Sequence, residues 1–152
     1  MTLSPGSAID SDAARILIRA ANWIGDSVMT MPAVQRLREL APHAYIVMLC
    51  PGKLTDLWRH NPFVNEIIPL GDKPNFYDLR EHEFDLAIIF PNSFRSAWEC
   101  KRAGIPRRVG FAGHWRRFLL TPSESSGGAR ASPVRICIHL WRRRKTNGSP
   151  VR

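Results

Sequence analysis

The chain has 152 residues, 44% hydrophobic and 23% charged, which fits one globular domain with a real core. Its +9 net charge is uneven: residues 1–121 hold 15 Lys and Arg against 12 Asp and Glu, whereas residues 122–152 hold 7 against 1. The nucleic acid or anionic membrane that a pI near 10.5 suggests therefore attaches to the tail and not to the folded part. Cys50, Cys100 and Cys137, with no CxxC and no His cluster, speak against zinc and for a reduced cytoplasmic setting. With acids where a signal peptide carries bases, and no apolar run near the roughly 18 residues of a spanning helix, the chain is expected to be soluble, with work at a membrane surface left open.

Residues 1–14 read as a polar, disordered leader. From there short apolar runs alternate with longer amphipathic ones, the signature of βα units that build a parallel sheet. Residues 15–20 (RILIRA) predict a first strand. Over 27–41, Val28, Met31, Val34, Leu37 and Leu40 recur three apart, with Arg36, Arg38 and Glu39 off that stripe. This predicts a helix packed on the sheet, its first turn bent or delayed by Pro32. Residues 44–49 predict a second strand, and 52–60 a short helix closed by Asn61-Pro62. Residues 64–70 predict a third strand at an edge, because Pro69 cannot donate a ladder hydrogen bond.

A weak helix is predicted over 76–83, and a fourth strand over 84–90 (FDLAIIF), whose nearly continuous apolar run suits burial on both faces. Residues 94–102 predict a helix with Ser93 as N-cap and Gly104 as its stop, and 107–111 a fifth strand. The expected fold class is α/β, a Rossmann-like parallel sheet over 15–121. Residues 122–152 abandon that rhythm for a Ser/Gly/Ala/Pro stretch, a brief apolar run and RRRKTNGSPVR, a basic low-complexity tail expected to be disordered or derived from truncation.

In an open parallel sheet, ligands lie at the carboxyl ends of the strands. The turn over 21–26 (ANWIGD) has one glycine, and the second strand ends Leu49-Cys50-Pro51 without an acid, so neither a dinucleotide nor a Walker-type nucleotide is expected there. Two readings of Asp26 stand about level. It is an N-cap, worth about 0.5 to 2 kcal/mol, or Ser27 caps and Asp26 faces the cleft as general base toward an incoming hydroxyl. Gly25 is turn chemistry. Trp23 and Ile24 either line a sugar site or cap the sheet edge.

After the fourth strand, Asn92 and Ser93 are placed to bond hydroxyls and Arg95 to hold a carboxylate or phosphate. The plainer reading is turn shaping and helix capping, preferred for Ser93. Arg107 and Arg108, with Lys53 and Arg59, add positive charge suited to an anionic ligand, although singly such residues are usually surface charges. His43, His60, His82 and His114 are assigned no chemistry, and no metal is expected.

ILIRAANWIGDSVMTMPAVQRLREL, followed by FDLAIIFPNSFRSAWECKRAGIPRRVGF, closely resembles the N-terminal half of the ADP-heptose:lipopolysaccharide heptosyltransferases of glycosyltransferase family 9, especially the heptosyltransferase II type. The resemblance runs from residue 15 to 121 and rests on NWIGD, PNSFRSA and AGIPRRVGF in that order. It implies an inverting GT-B glycosyltransferase, two Rossmann-like domains facing one cleft, without a metal or cofactor. It implies Asp26 as the base that deprotonates the acceptor hydroxyl. Heptose would pass from ADP-heptose to a phosphorylated lipid A–Kdo inner core met by Asn22, Trp23, Asn92, Ser93, Arg95, Arg107 and Arg108.

The implied setting is cytoplasmic, peripheral at the inner face of the inner membrane, with no specific nucleic acid partner. The family's donor domain has no counterpart after Thr121, so the chain is expected to act as a truncated form with little activity alone, unless a separate chain supplies the donor half. The competing reading is a non-catalytic anion-binding or interaction module whose basic tail contacts nucleic acid or acidic lipid. Such binding falls steeply with salt and vanishes on deletion of residues 130–152.

Overall fold

The computed structural model describes residues 14–71, 76–111 and 117–121. The expectations for the leader over 1–13, for His114, for Cys137 and for the tail over 122–152 lie outside the described residues. In chain order the elements are β1 (Arg15–Arg19), α1 (Ile24–Leu40), β2 (Tyr45–Pro51), a 3-10 turn (Gly52–Leu54), α2 (Thr55–Arg59) and β3 (Glu66–Leu70). They continue with α3 (Phe76–Glu81), β4 (Leu86–Ile89), α4 (Phe94–Arg102), β5 (Arg107–Gly110) and a second 3-10 turn (Arg117–Leu119). The strands form one parallel sheet in the order β3-β2-β1-β4-β5. The α/β class and the five strands follow the sequence reading, and Pro69 does sit on an edge strand, where its missing N–H costs no ladder bond.

Side chains alternate across the sheet, so each strand feeds two cores. Ile16, Ile18, Ile46, Met48 and Ile88 pack against Ala33, Val34 and Leu37 of α1 and Trp58 of α2 on one face. Leu17, Val47, Ala87 and Ile89 pack against Leu79 of α3, Ala97 and Cys100 of α4, and Leu119 on the other. Because βαβ crossovers are right-handed, a chain that steps outward through β2 and β3 lays its helices on one face. Returning to β4 and β5, it lays them on the opposite face. The reversal falls between β1 and β4.

The first helix departs from expectation. It begins at Ile24, with Trp23 as its N-cap and no side-chain cap. Asp26 lies inside the first turn, and the buried Ser27 hydroxyl donates to the Ala21 carbonyl at 3.2 Å, so neither residue caps the helix. The buried stripe is Ser27, Thr30, Ala33, Val34 and Leu37, while Val28 is exposed. Small residues let the helix lie close on the sheet, and Thr30 satisfies its hydroxyl on the Ser27 carbonyl at 2.7 Å. Pro32 neither delays nor ends the helix; it stands within it on the exposed side.

The helix α4 keeps its predicted ends. The Ser93 hydroxyl accepts from the Ser96 amide at 3.2 Å, and Gly104 follows the helix with φ +74°. Replacing Ser93 with Ala is expected to cost about 1 kcal/mol in urea unfolding.

At the end of β2, Cys50 is fully buried, and burial pushes its thiol pKa up against the smaller downward pulls of the Thr55 hydrogen bond and the Arg19 charge. A raised folded-state value means that its contribution to stability is complete below the ordinary thiol range and is lost as pH climbs from there toward the folded value. Iodoacetamide is accordingly expected to leave Cys50 unmodified at pH near 8 until denaturant opens the sheet; labelling at the rate of a free thiol under native conditions contradicts this.

Candidate functional site at the β1/β4 edge

Where strand order reverses, the loops leaving β1 and β4 diverge to opposite faces and open a crevice, the place where α/β sheets hold ligands. The structure has a cleft of about 290 Å³ there, lined by Arg19, Asn22, Leu70, Gly71, Ser93 and Arg95. Asn22, Ser93 and Arg95 of the sequence-selected residues thus come together, from the turn after β1 and from the start of α4, about seventy positions of chain apart.

Trp23 and Asp26 stand next to that loop, on the N-cap and in the first turn of α1. Trp23 is 69% exposed, with the Lys53 ammonium 4.8 Å from its ring centroid. Asp26 is exposed, and its carboxylate makes no hydrogen bond or ion pair among the described residues. A carboxylate exposed at a helix N-terminus, with no partner among the described residues, is sterically available to accept a proton from a ligand. Asn92 is exposed in the turn after β4 but does not line the cleft.

Arg107 and Arg108 lie elsewhere. They pair with Leu86 and Ala87 at the start of β4, so they sit at the amino end of the sheet, roughly 10 Å of strand from the carboxyl edge. Arg108 is spent on structure: its guanidinium donates to the carbonyls of Leu119 at 2.6 Å, Pro106 at 3.3 Å and Ile105. Thr121 completes the clasp on the Arg108 backbone, its amide 2.9 Å from the Arg108 carbonyl. Proximity in sequence to a motif did not predict which end of the strand those arginines occupy. Arg59 pairs with Asp56 on the surface at 3.2 Å.

Two residues escaped the sequence reading. Arg19, at the end of β1, is only 4% exposed; its Nε donates to Glu99 Oε2 at 3.2 Å, one Nη to the Ala20 carbonyl at 2.7 Å and the other to Asn22 Oδ1 at 3.1 Å. Glu99 of α4 is 1% exposed, and its other oxygen accepts from Arg95 Nε at 3.0 Å. The signal was present, since an arginine within an apolar strand demands a buried counter-charge. Glu99 falls on the same helix face as Ser96 and Cys100, which are both buried. Among the described residues no three His, Cys, Asp or Glu side chains gather to hold a metal, and no helix is long and apolar enough to cross a membrane.

The family model for glycosyltransferase family 9 (heptosyltransferase) matches residues 76–131. Lipopolysaccharide heptosyltransferase 2 of Escherichia coli (strain K12) is 34% identical over 70% of this chain and 33% of its own length. The solved structure of E. coli ADP-heptose lps heptosyltransferase II superposes with a TM-score of 0.65 at 37% identity, covering 70% of this chain and 33% of that one. A family 9 glycosyl transferase from Veillonella parvula DSM 2008 shares the fold, with a TM-score of 0.67 at 22% identity over 87% of this chain and 41% of its own. The chain thus spans about a third of the length of the curated relatives that it matches. By sequence and by fold, over about 70% of its length, the chain is similar to the heptosyltransferases of glycosyltransferase family 9.

Proposed function

We propose that residues 15–121 form the acceptor-side half of an inverting GT-B heptosyltransferase of lipopolysaccharide inner-core synthesis, with Asp26 as its general base. The observation that carries the reading is the exposed Asp26 carboxylate in the first turn of α1, without a partner among the described residues and four positions along the chain from Asn22, which lines the crevice. The carboxylate takes the proton of an acceptor hydroxyl while that oxygen attacks the anomeric carbon of the heptose. The bond from that carbon to the ADP oxygen breaks on the opposite face, and ADP leaves with the electron pair. Asn22, Ser93 and Arg95, which line the cleft, take the acceptor, a lipid A–Kdo core, and Trp23 and Asn92 meet it from the exposed parts of the same two loops. Arg107 and Arg108 have no part in that contact, because they sit at the other end of the sheet.

Nothing among the described residues offers a nucleotide seat: the turn 21–26 has one glycine, and β2 ends without a ribose-binding acid. The ADP-heptose site is therefore assigned outside residues 15–121, on further chain or on a separate polypeptide. Without it the anomeric carbon is not positioned, and positioning accounts for a large share of the barrier reduction. The 152-residue chain alone is expected to transfer little or no heptose from ADP-heptose, working at the cytoplasmic face of the inner membrane once its donor half is present. The test grafts residues 15–121 onto the donor half of the E. coli relative. Transfer restored by the graft supports the reading; rapid transfer by the 152-residue chain alone overturns the assignment of the donor site.

A further inference from the structure

Glu99 is a glutamate with almost no access to solvent, and both of its oxygens are engaged by arginines that line the same cleft. Both arginines use Nε for that contact. Arg19 commits its Nη groups to the Ala20 carbonyl and the Asn22 side chain, which ties it to the loop leading into α1. Arg95 is different: its side chain is 67% exposed, and its two Nη groups have no partner among the described residues. An exposed arginine ordinarily samples many rotamers. Here a buried carboxylate four residues along the same helix pins it at Nε and leaves the outer fork of this cleft-lining side chain without a partner among the described residues. Two arginines and one glutamate leave one net positive charge at the cleft, matched to a single oxyanion.

We propose that Glu99 is a positioning residue: by holding Arg19 and Arg95 at Nε with its two oxygens, it presets the Arg95 fork as the seat for an oxyanion, a phosphate or carboxylate of the acceptor. The inference rests on the cleft being the acceptor site. It is separable from a simple counter-ion role by the sign of an effect. If Glu99 only neutralised Arg19, removing its charge would raise the local positive potential and tighten anion binding. If it positions Arg95, removing it loosens the fork and weakens binding despite the gain in positive charge.

The experiment titrates the ¹⁵N-labelled 152-residue chain with inorganic phosphate, and separately with acetate, at constant ionic strength. It follows the Arg95 Nε–H and Asn22 side-chain signals, so that binding elsewhere on a basic protein does not interfere. Saturable shifts are expected in the unsubstituted chain, with the tighter of the two anions identifying the group recognised. Glu99→Gln is expected to weaken that binding by about fivefold or more; unchanged or tighter binding in a folded Glu99→Gln chain overturns the proposal. Should Glu99→Gln not fold, the unsubstituted chain still decides. A resolved, slowly exchanging Arg95 Nε–H is expected from a pinned side chain, and an Arg95 Nε–H that exchanges as fast as that of free arginine in the same buffer overturns it. Arg95→Met serves as the separate check on the underlying site: if it leaves the phosphate and acetate shifts at Asn22 intact, the cleft is not an anion seat at all.

Discussion

Asp26→Asn, introduced into the grafted transferase, is expected to lower kcat by about 10²- to 10⁴-fold while leaving KM for the acceptor within a few-fold. Asparagine keeps the size and much of the hydrogen bonding of the side chain and removes only its capacity to take a proton. Because the native carboxylate is exposed and bonds no other described residue, the fold depends on it little. The substitution should therefore shift stability by no more than about 0.5 kcal/mol, as measured by thermal unfolding of the 152-residue chain. A fall in activity accompanied by a large loss of stability would instead place Asp26 in a structural role. Unchanged kcat would remove it from the chemistry.

Glu99→Ala carries the largest expected effect on stability, a loss of about 3–5 kcal/mol, because it leaves the buried Arg19 guanidinium without its counter-charge. For a folded part of about a hundred residues this corresponds to a fall in Tm of more than about 10 °C. Arg19 retains bonds to the Ala20 carbonyl and to Asn22, but neither neutralises it. Removing both partners together, as Arg19→Met with Glu99→Leu, replaces the buried charges by apolar volume and should recover most of the loss. The two changes are thus expected to be strongly non-additive in a double-mutant cycle read by differential scanning calorimetry. Additive effects would mean that the 3.2 Å ion pair contributes little energetically.

Much of this fold was legible because local signals and tertiary needs agree. FDLAIIF is apolar throughout, and β4 proves to be buried on both faces between β1 and β5. Pro69 marks an edge, and PNS before a helix marks a cap. The start of α1 was illegible for a definite reason: Asp26 and Ser27 have capping chemistry, yet the chain enters the helix at Trp23 without a side-chain cap, and the small residues Ser27, Thr30 and Ala33 turn inward because the sheet leaves little room. Periodicity of large apolar residues cannot report a face built from small ones. The same limit hid half of the cleft. Asn22 and Ser93 announce themselves by lying in turns and Arg95 by following one at the start of α4, whereas Arg19 and Glu99 acquire their meaning only when β1 and α4, eighty positions apart, are packed together.

The most direct test of the central claim is an amide chemical-shift titration of the 152-residue chain with two ligands in turn, a lipid-free Kdo-containing core oligosaccharide and ADP-heptose. The oligosaccharide is expected to shift residues 22–26 and 91–95, on the two loops of the β1/β4 crevice, while ADP-heptose leaves them in place. Shifts produced at those loops by ADP-heptose and none by the oligosaccharide would make this the donor side and contradict the account.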